Sequence, residues 1–122
     1  MRVKIQDLSP VCVTRRRGAD AFEALMKLDD GSNIEIDLNG TEMLSLSFLD
    51  ELIYRLHQKL ASERVAFVTS SPNHLAKLGR ISGYRKIAVR RVVNGTPENV
   101  PPTESPALDM ATVEETDPGR RR

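Results

Sequence analysis

Ser45, Ser47 and Asp50 share the short stretch Ser45-Leu46-Ser47-Phe48-Leu49-Asp50-Glu51, where hydroxyls and carboxylates meet the start of an amphipathic segment. A serine in that setting has two chemistries open to it. It can cap a helix by accepting a hydrogen bond from an orphan amide, or it can carry a phosphate. The phosphate's charge of about −1.5 to −2 is tolerated at a helix N-terminus. The spacing of Ser47 and Asp50 reads as a shortened capping box with Ser47 as the cap. Asp50 and Glu51 already place negative charge in that turn and oppose a phosphate. A second candidate is Thr14-Arg15-Arg16-Arg17, read either as a solvated loop or as a contact for an anion or an acidic partner surface. Cations at a helix start gain nothing from its dipole, which sets this cluster apart.

The remaining reactive residues form no constellation. His57 and His74 fall on different predicted helices, neither at a metal-ligating spacing, and His57 borders an apolar face as a packed or rim residue. Asp37 and Asp50 could approach each other across a turn, but acid–base work needs a pocket that short loops do not provide. There is no glycine-rich phosphate loop. Cys12, between Val11 and Val13, reads as a small core hydrophobe. The expectation is a protein with no catalytic residues, no metal ligands and no cofactor.

These residues need elements to hold them. Ile34, Ile36 and Leu38 alternate with Glu35 and Asp37, the period of a strand with one buried face. Leu49, Leu52, Ile53, Leu56 and Leu60 then follow at helical spacing, with Asp50, Glu51, Arg55, Gln58 and Lys59 assigned to the opposite side. Before this unit, Arg2 to Leu8 suggests a short strand and Val11 to Val13 a second strand or an extended lead-in. Asp20 and Glu23 suggest a helix start, and that helix ends near Leu28 before the turn Asp29-Asp30-Gly31-Ser32. After the unit, Arg64 to Thr69 reads as a buried strand. Ser71-Pro72 opens a further helix ending at Gly79 or Gly83, and Ile87 to Val93 reads as the last strand. The alternation implies an α/β domain with right-handed crossovers, a sheet of about four to five strands and helices mainly on one face.

With 122 residues, 39% of them hydrophobic, the chain has room for one domain, placed at 1–93. The segment 94–122 holds five of the seven prolines, no aromatic residue and an acidic excess, and is expected to be a disordered spacer with at most transient helix around Met110 to Glu115. The 18 basic and 17 acidic groups nearly cancel, so no nucleic-acid partner is expected. Arg15 to Arg17, Arg85, Lys86, Arg90 and Arg91 would be the patch for one. A single cysteine allows no intrachain disulfide, and no apolar run is long enough for a bilayer. A cytoplasmic protein without membrane insertion is the expectation.

Two segments resemble the STAS domain, the sulfate-transporter and anti-sigma-antagonist fold. One is Ile36-Asp37-Leu38-Asn39-Gly40 leading into Ser45-Leu46-Ser47-Phe48-Leu49. The other runs from Thr69-Ser70-Ser71-Pro72-Asn73-His74-Leu75 to Ile81-Ser82-Gly83-Tyr84-Arg85-Lys86-Ile87. Ordinary members carry Asp-Ser-Ser-Gly at the turn and are phosphorylated on the second serine; here the turn reads Ser45, Leu46, Ser47, Phe48. The variant Ser47-Phe48-Leu49-Asp50-Glu51-Leu52 is closer to the sister group called STAS-like, which also tends to have a Thr-Arg pair before its first helix, similar to Thr14-Arg15. The resemblance implies a non-catalytic interaction module that docks through Ser45, Ser47, Asp50, Glu51 and Arg55 onto an anti-sigma or kinase-like protein, with Ser47 as the phosphorylation site. Thr14, Arg15 and Arg16 would be its anion or partner contacts. The alternative is a constitutive subunit of a membrane-associated ATPase or transport complex.

Overall fold

The computed structural model describes residues 1–103; of the segment 94–122 expected to be disordered, the part from 104 onward, with the transient helix around Met110 to Glu115, lies outside the described residues. The elements are β1 (Arg2–Lys4), α1 (Ile5–Leu8), α2 (Arg15–Leu28), β2 (Ile34–Asp37), α3 (Leu46–Lys59), a 3-10 turn (Ser62–Arg64), β3 (Val65–Val68), α4 (Pro72–Arg85), β4 (Arg90–Val93) and β5 (Thr96–Asn99). The strands lie side by side in chain order, the first four parallel and β5 antiparallel to β4. An α/β fold with a five-stranded mixed sheet is therefore present, as the alternation of periods implied.

A sheet whose parallel strands are added in sequence by right-handed crossovers carries its connecting helices on one face. The alternation in β2 agrees: Ile34 and Ile36 are buried, Glu35 and Asp37 half-exposed. Glu35 sits opposite Arg2 in the register and accepts from its guanidinium at 2.8 Å, so the uncovered face carries paired charge. On the covered face Ile36, Phe67, Leu49, Leu52 and Leu78 form one core. The closest packing is between α2 and α3. A Cβ placed on Gly18 of α2 would stand 2.5 Å from the Phe48 carbonyl oxygen of α3, so only glycine allows the two backbones to approach this far.

Several expected boundaries move. The strand expected over Arg2 to Leu8 stops at Lys4 and turns into α1, which buries Ile5 and Leu8. Val11 to Val13 is a lead-in with a single bridge from Cys12 to Leu44. Helix α2 begins at Arg15, because Thr14 caps it by accepting from the Arg17 amide at 3.2 Å. Helix α4 runs through both glycines to Arg85 and stops at Lys86 in the left-handed region. The folded region also extends past residue 93. Asn94 and Gly95, both at positive φ, form a tight turn into β5, within the segment assigned to the tail.

Candidate functional site

The start of α3 is fastened to the segment before α2. Ser45 caps the helix: its hydroxyl accepts from the Phe48 amide at 3.1 Å and donates to the Val13 carbonyl. The Ser47 hydroxyl donates to the same carbonyl at 3.2 Å and lies 3.2 Å from Ser45 Oγ, while the Ser45 amide donates to Cys12 at 2.9 Å. The expected cap at Ser47 is thus corrected to Ser45, two residues earlier. The turn is also not displayed. Ser45 is 6% exposed and Ser47 3%, with both hydroxyls turned inward onto the Val13 carbonyl. A kinase reaches Ser47 only by opening this junction.

Asp50 departs further from expectation. Assigned to the polar side of the helix, it is 1% exposed and lies on the stripe that also buries Leu46 and Ile53. A carboxylate so placed survives as an ion only when cations meet it. Arg85, the last residue of α4, binds both its oxygens through one guanidinium edge, Nε to Oδ1 at 2.6 Å and Nη2 to Oδ2 at 2.8 Å. Arg15, the first residue of α2, adds Nη1 to Oδ2 at 2.7 Å. Burial pushes the Asp50 carboxyl up, but the hydrogen bonds from Arg85 and Arg15 outweigh it and hold the group below the usual carboxylate range. One carboxylate therefore ties together α2, α3 and α4.

The outer layer of this cluster is the part that faces solvent. The Arg85 guanidinium lies 4.2 Å from the ring centre of Tyr54 and 5.6 Å from that of Tyr84, and the Tyr84 hydroxyl is 3.4 Å from Asp50 Oδ2. Tyr54 is 37% exposed and Tyr84 62%. Glu51 takes Arg55 at 2.7 Å and stands 3.7 Å from Arg15. Comparison with family models, with curated proteins and with solved structures finds no match to this chain.

Of the expected site residues, the fold brings Arg15, Asp50, Glu51 and Arg55 into one cluster. Thr14 serves as a cap, Arg16 is exposed outside the cluster, and Ser45 and Ser47 lie beneath the surface one turn away. The expectation that Ser45, Ser47 and Asp50 belong to an exposed docking face is overturned by their burial. Tyr54, Tyr84 and the role of Arg85 were not anticipated. The available signal was Asp50 itself: positions 46, 49, 50, 53 and 56 form one helical stripe, and an acid inside an apolar stripe calls for a basic partner from elsewhere. His74 is buried near Thr69, its pKa lowered by burial and by Lys77, and His57 is exposed at the rim of α3.

Proposed function

We propose that this chain is a non-catalytic, regulatory protein-interaction module of STAS-like type, which docks through the tyrosine–arginine surface held by Asp50. The observation that carries this reading is that both tyrosines of the chain are exposed, and both stack on one arginine whose position is fixed by a buried carboxylate. Tyrosine and arginine dominate the energetics of protein interfaces, and side chains already fixed in place lose little entropy on binding. The expected docking role of Glu51 and Arg55 is kept, since both border this surface. Ser47 is not kept as a switch, because phosphate there would break the junction with Val13.

The burial of charge inside the cluster weighs against nucleic acid. Arg15 and Arg85 are paired with Asp50, and Arg15 also stands 3.7 Å from Glu51, so two members of the basic patch are partnered by acids within the fold. Among the described residues, no helix is long and apolar enough to cross a membrane. The test is capture of partners from cell extract by the wild type, by Tyr84→Ser and by Tyr54→Ser. Truncating such an anchor should cost about 2 kcal/mol, roughly a thirtyfold loss of affinity. A partner kept by wild type and lost by both folded variants is the expected result; an unchanged partner set contradicts the reading. A kinase-like anti-sigma protein in that set would mark a switch, and a transporter ATPase a constitutive subunit.

A further inference from the structure

β2 and β3 run parallel, so the loops that follow Asp37 and Val68 leave the sheet from the same end. The two loops are laced together. The Ser70 amide donates to Asn39 Oδ1 at 2.8 Å, and Ser71 caps α4 by accepting from the His74 amide at 3.2 Å. Between the loops lies a cavity of about 420 Å³ whose lining includes Asn39, Thr41, Glu42, Ser71, Asn73 and His74.

Two independent features of this cavity call for a polar occupant. Thr41, in its wall, is 6% exposed, and its Oγ1 is enclosed with no hydrogen-bonding partner among the described residues. A buried hydroxyl left unpaired costs free energy that an acceptor in the cavity restores. The other feature is the start of α4. Pro72 has no N–H and the His74 and Leu75 amides are taken by Ser71, so Asn73 offers the remaining first-turn donor at the positive end of the helix dipole.

The charges of the lining select the kind of occupant. Of the described residues that line the cavity, Glu42 alone is charged at neutral pH, because burial and Lys77 lower the pKa of His74. A simple anion against α4 is repelled by Glu42, and a simple cation against Glu42 meets the helix dipole with the wrong sign. A zwitterion satisfies both. Glu42 and Asn73, one from each wall, also border a further hollow of about 180 Å³ with Val13, Met43 and Leu44, and Met43 is 71% exposed. Apolar surface beside a few placed polar groups is the usual make-up of a small-molecule site.

We propose that this cavity binds a free α-amino acid with an aliphatic side chain. Its carboxylate accepts from the Asn73 amide and the Thr41 hydroxyl, its ammonium pairs with Glu42, and its side chain lies against Val13 and Met43. The site is independent of the tyrosine–arginine surface, since at about 1.5 Å per residue Asn73 lies roughly 18 Å along α4 from Arg85.

Titration of the isotope-labelled full chain with L-leucine, followed through its amide resonances, tests the proposal. Saturable shifts are expected at Thr41, Glu42, Asn73 and His74, with Tyr54 and Tyr84 unmoved. Isoamylamine, which lacks the carboxylate, and isocaproate, which lacks the ammonium, should each bind about tenfold more weakly or worse. Glu42 is exposed, so Glu42→Gln keeps the fold; it should weaken L-leucine about tenfold and leave isocaproate no weaker. Thr41→Val should weaken L-leucine and isocaproate alike. Absence of saturable shifts, an affinity for either analogue equal to that for L-leucine, or an unchanged affinity in Glu42→Gln overturns the proposal.

Discussion

Removing a carboxylate from water costs several kcal/mol unless it is paired and hydrogen-bonded, and Asp50 meets that requirement with two guanidiniums. Around it each polar residue has one physical task. Ser45 and Ser47 differ in a way that mutation can separate. Ser45→Ala removes the helix cap and the bond to Val13, and should lower stability by about 1–2 kcal/mol in urea unfolding. Ser47→Ala leaves the cap and should cost less, about 0.5–1 kcal/mol. Equal losses, or the larger loss at Ser47, would return the cap to Ser47. The sequence made serine capping legible but not its position. Two serines two residues apart offer the same chemistry, and the tertiary acceptor that decides between them, the Val13 carbonyl, is more than thirty residues away in the chain.

At the scale of elements, periodicity found the strands and helices that are long and have one buried face, β2 and α3 above all. It placed the boundaries poorly where tertiary contacts decide them. Gly79 and Gly83 look like stop signals, yet α4 continues through both, and at Gly79 the missing side chain makes room for Pro101 and Thr103, which lie against the helix. The Asn94-Gly95 pair is a hairpin signal in its own right, obscured by the proline-rich composition around it. Gly18 gives the sharpest test at this scale. Gly18→Ala must push the α2 backbone away from Phe48, and should cost about 2 kcal/mol or more despite alanine's better helix propensity. A variant as stable as wild type would mean that α2 and α3 pack less closely than described.

For the whole molecule, one carboxylate joins the ends of two helices to the body of a third, and the exposed tyrosines take their positions from that joint. Fold class and the one-sided helix layer could be read from the sequence because they follow from alternation and crossover handedness. The joint could not, since Arg15 and Arg85 each lie 35 residues from Asp50, on opposite sides of it in the chain, and no local pattern links them. The same three residues set the pH response. Because the folded pKa of Asp50 is depressed, its stabilising contribution is complete above its unfolded value, about 3.9, and is lost as pH falls through the folded one.

The most direct measurement is therefore urea unfolding of wild type and Asp50→Asn across pH 3 to 7. Asparagine keeps the shape and leaves both guanidiniums without their anion. The variant should be less stable by about 2–3 kcal/mol at pH 7, below the ~3–5 of a fully buried pair because the arginines reach solvent. The gap should hold down to about pH 5 and begin to narrow below about pH 4, where Asp50 of the unfolded chain takes up its proton while the folded carboxylate stays ionised to lower pH. A gap that is absent at pH 7, or equally wide at every pH, would contradict the claim that an ionised Asp50 holds the three helices and the surface they carry.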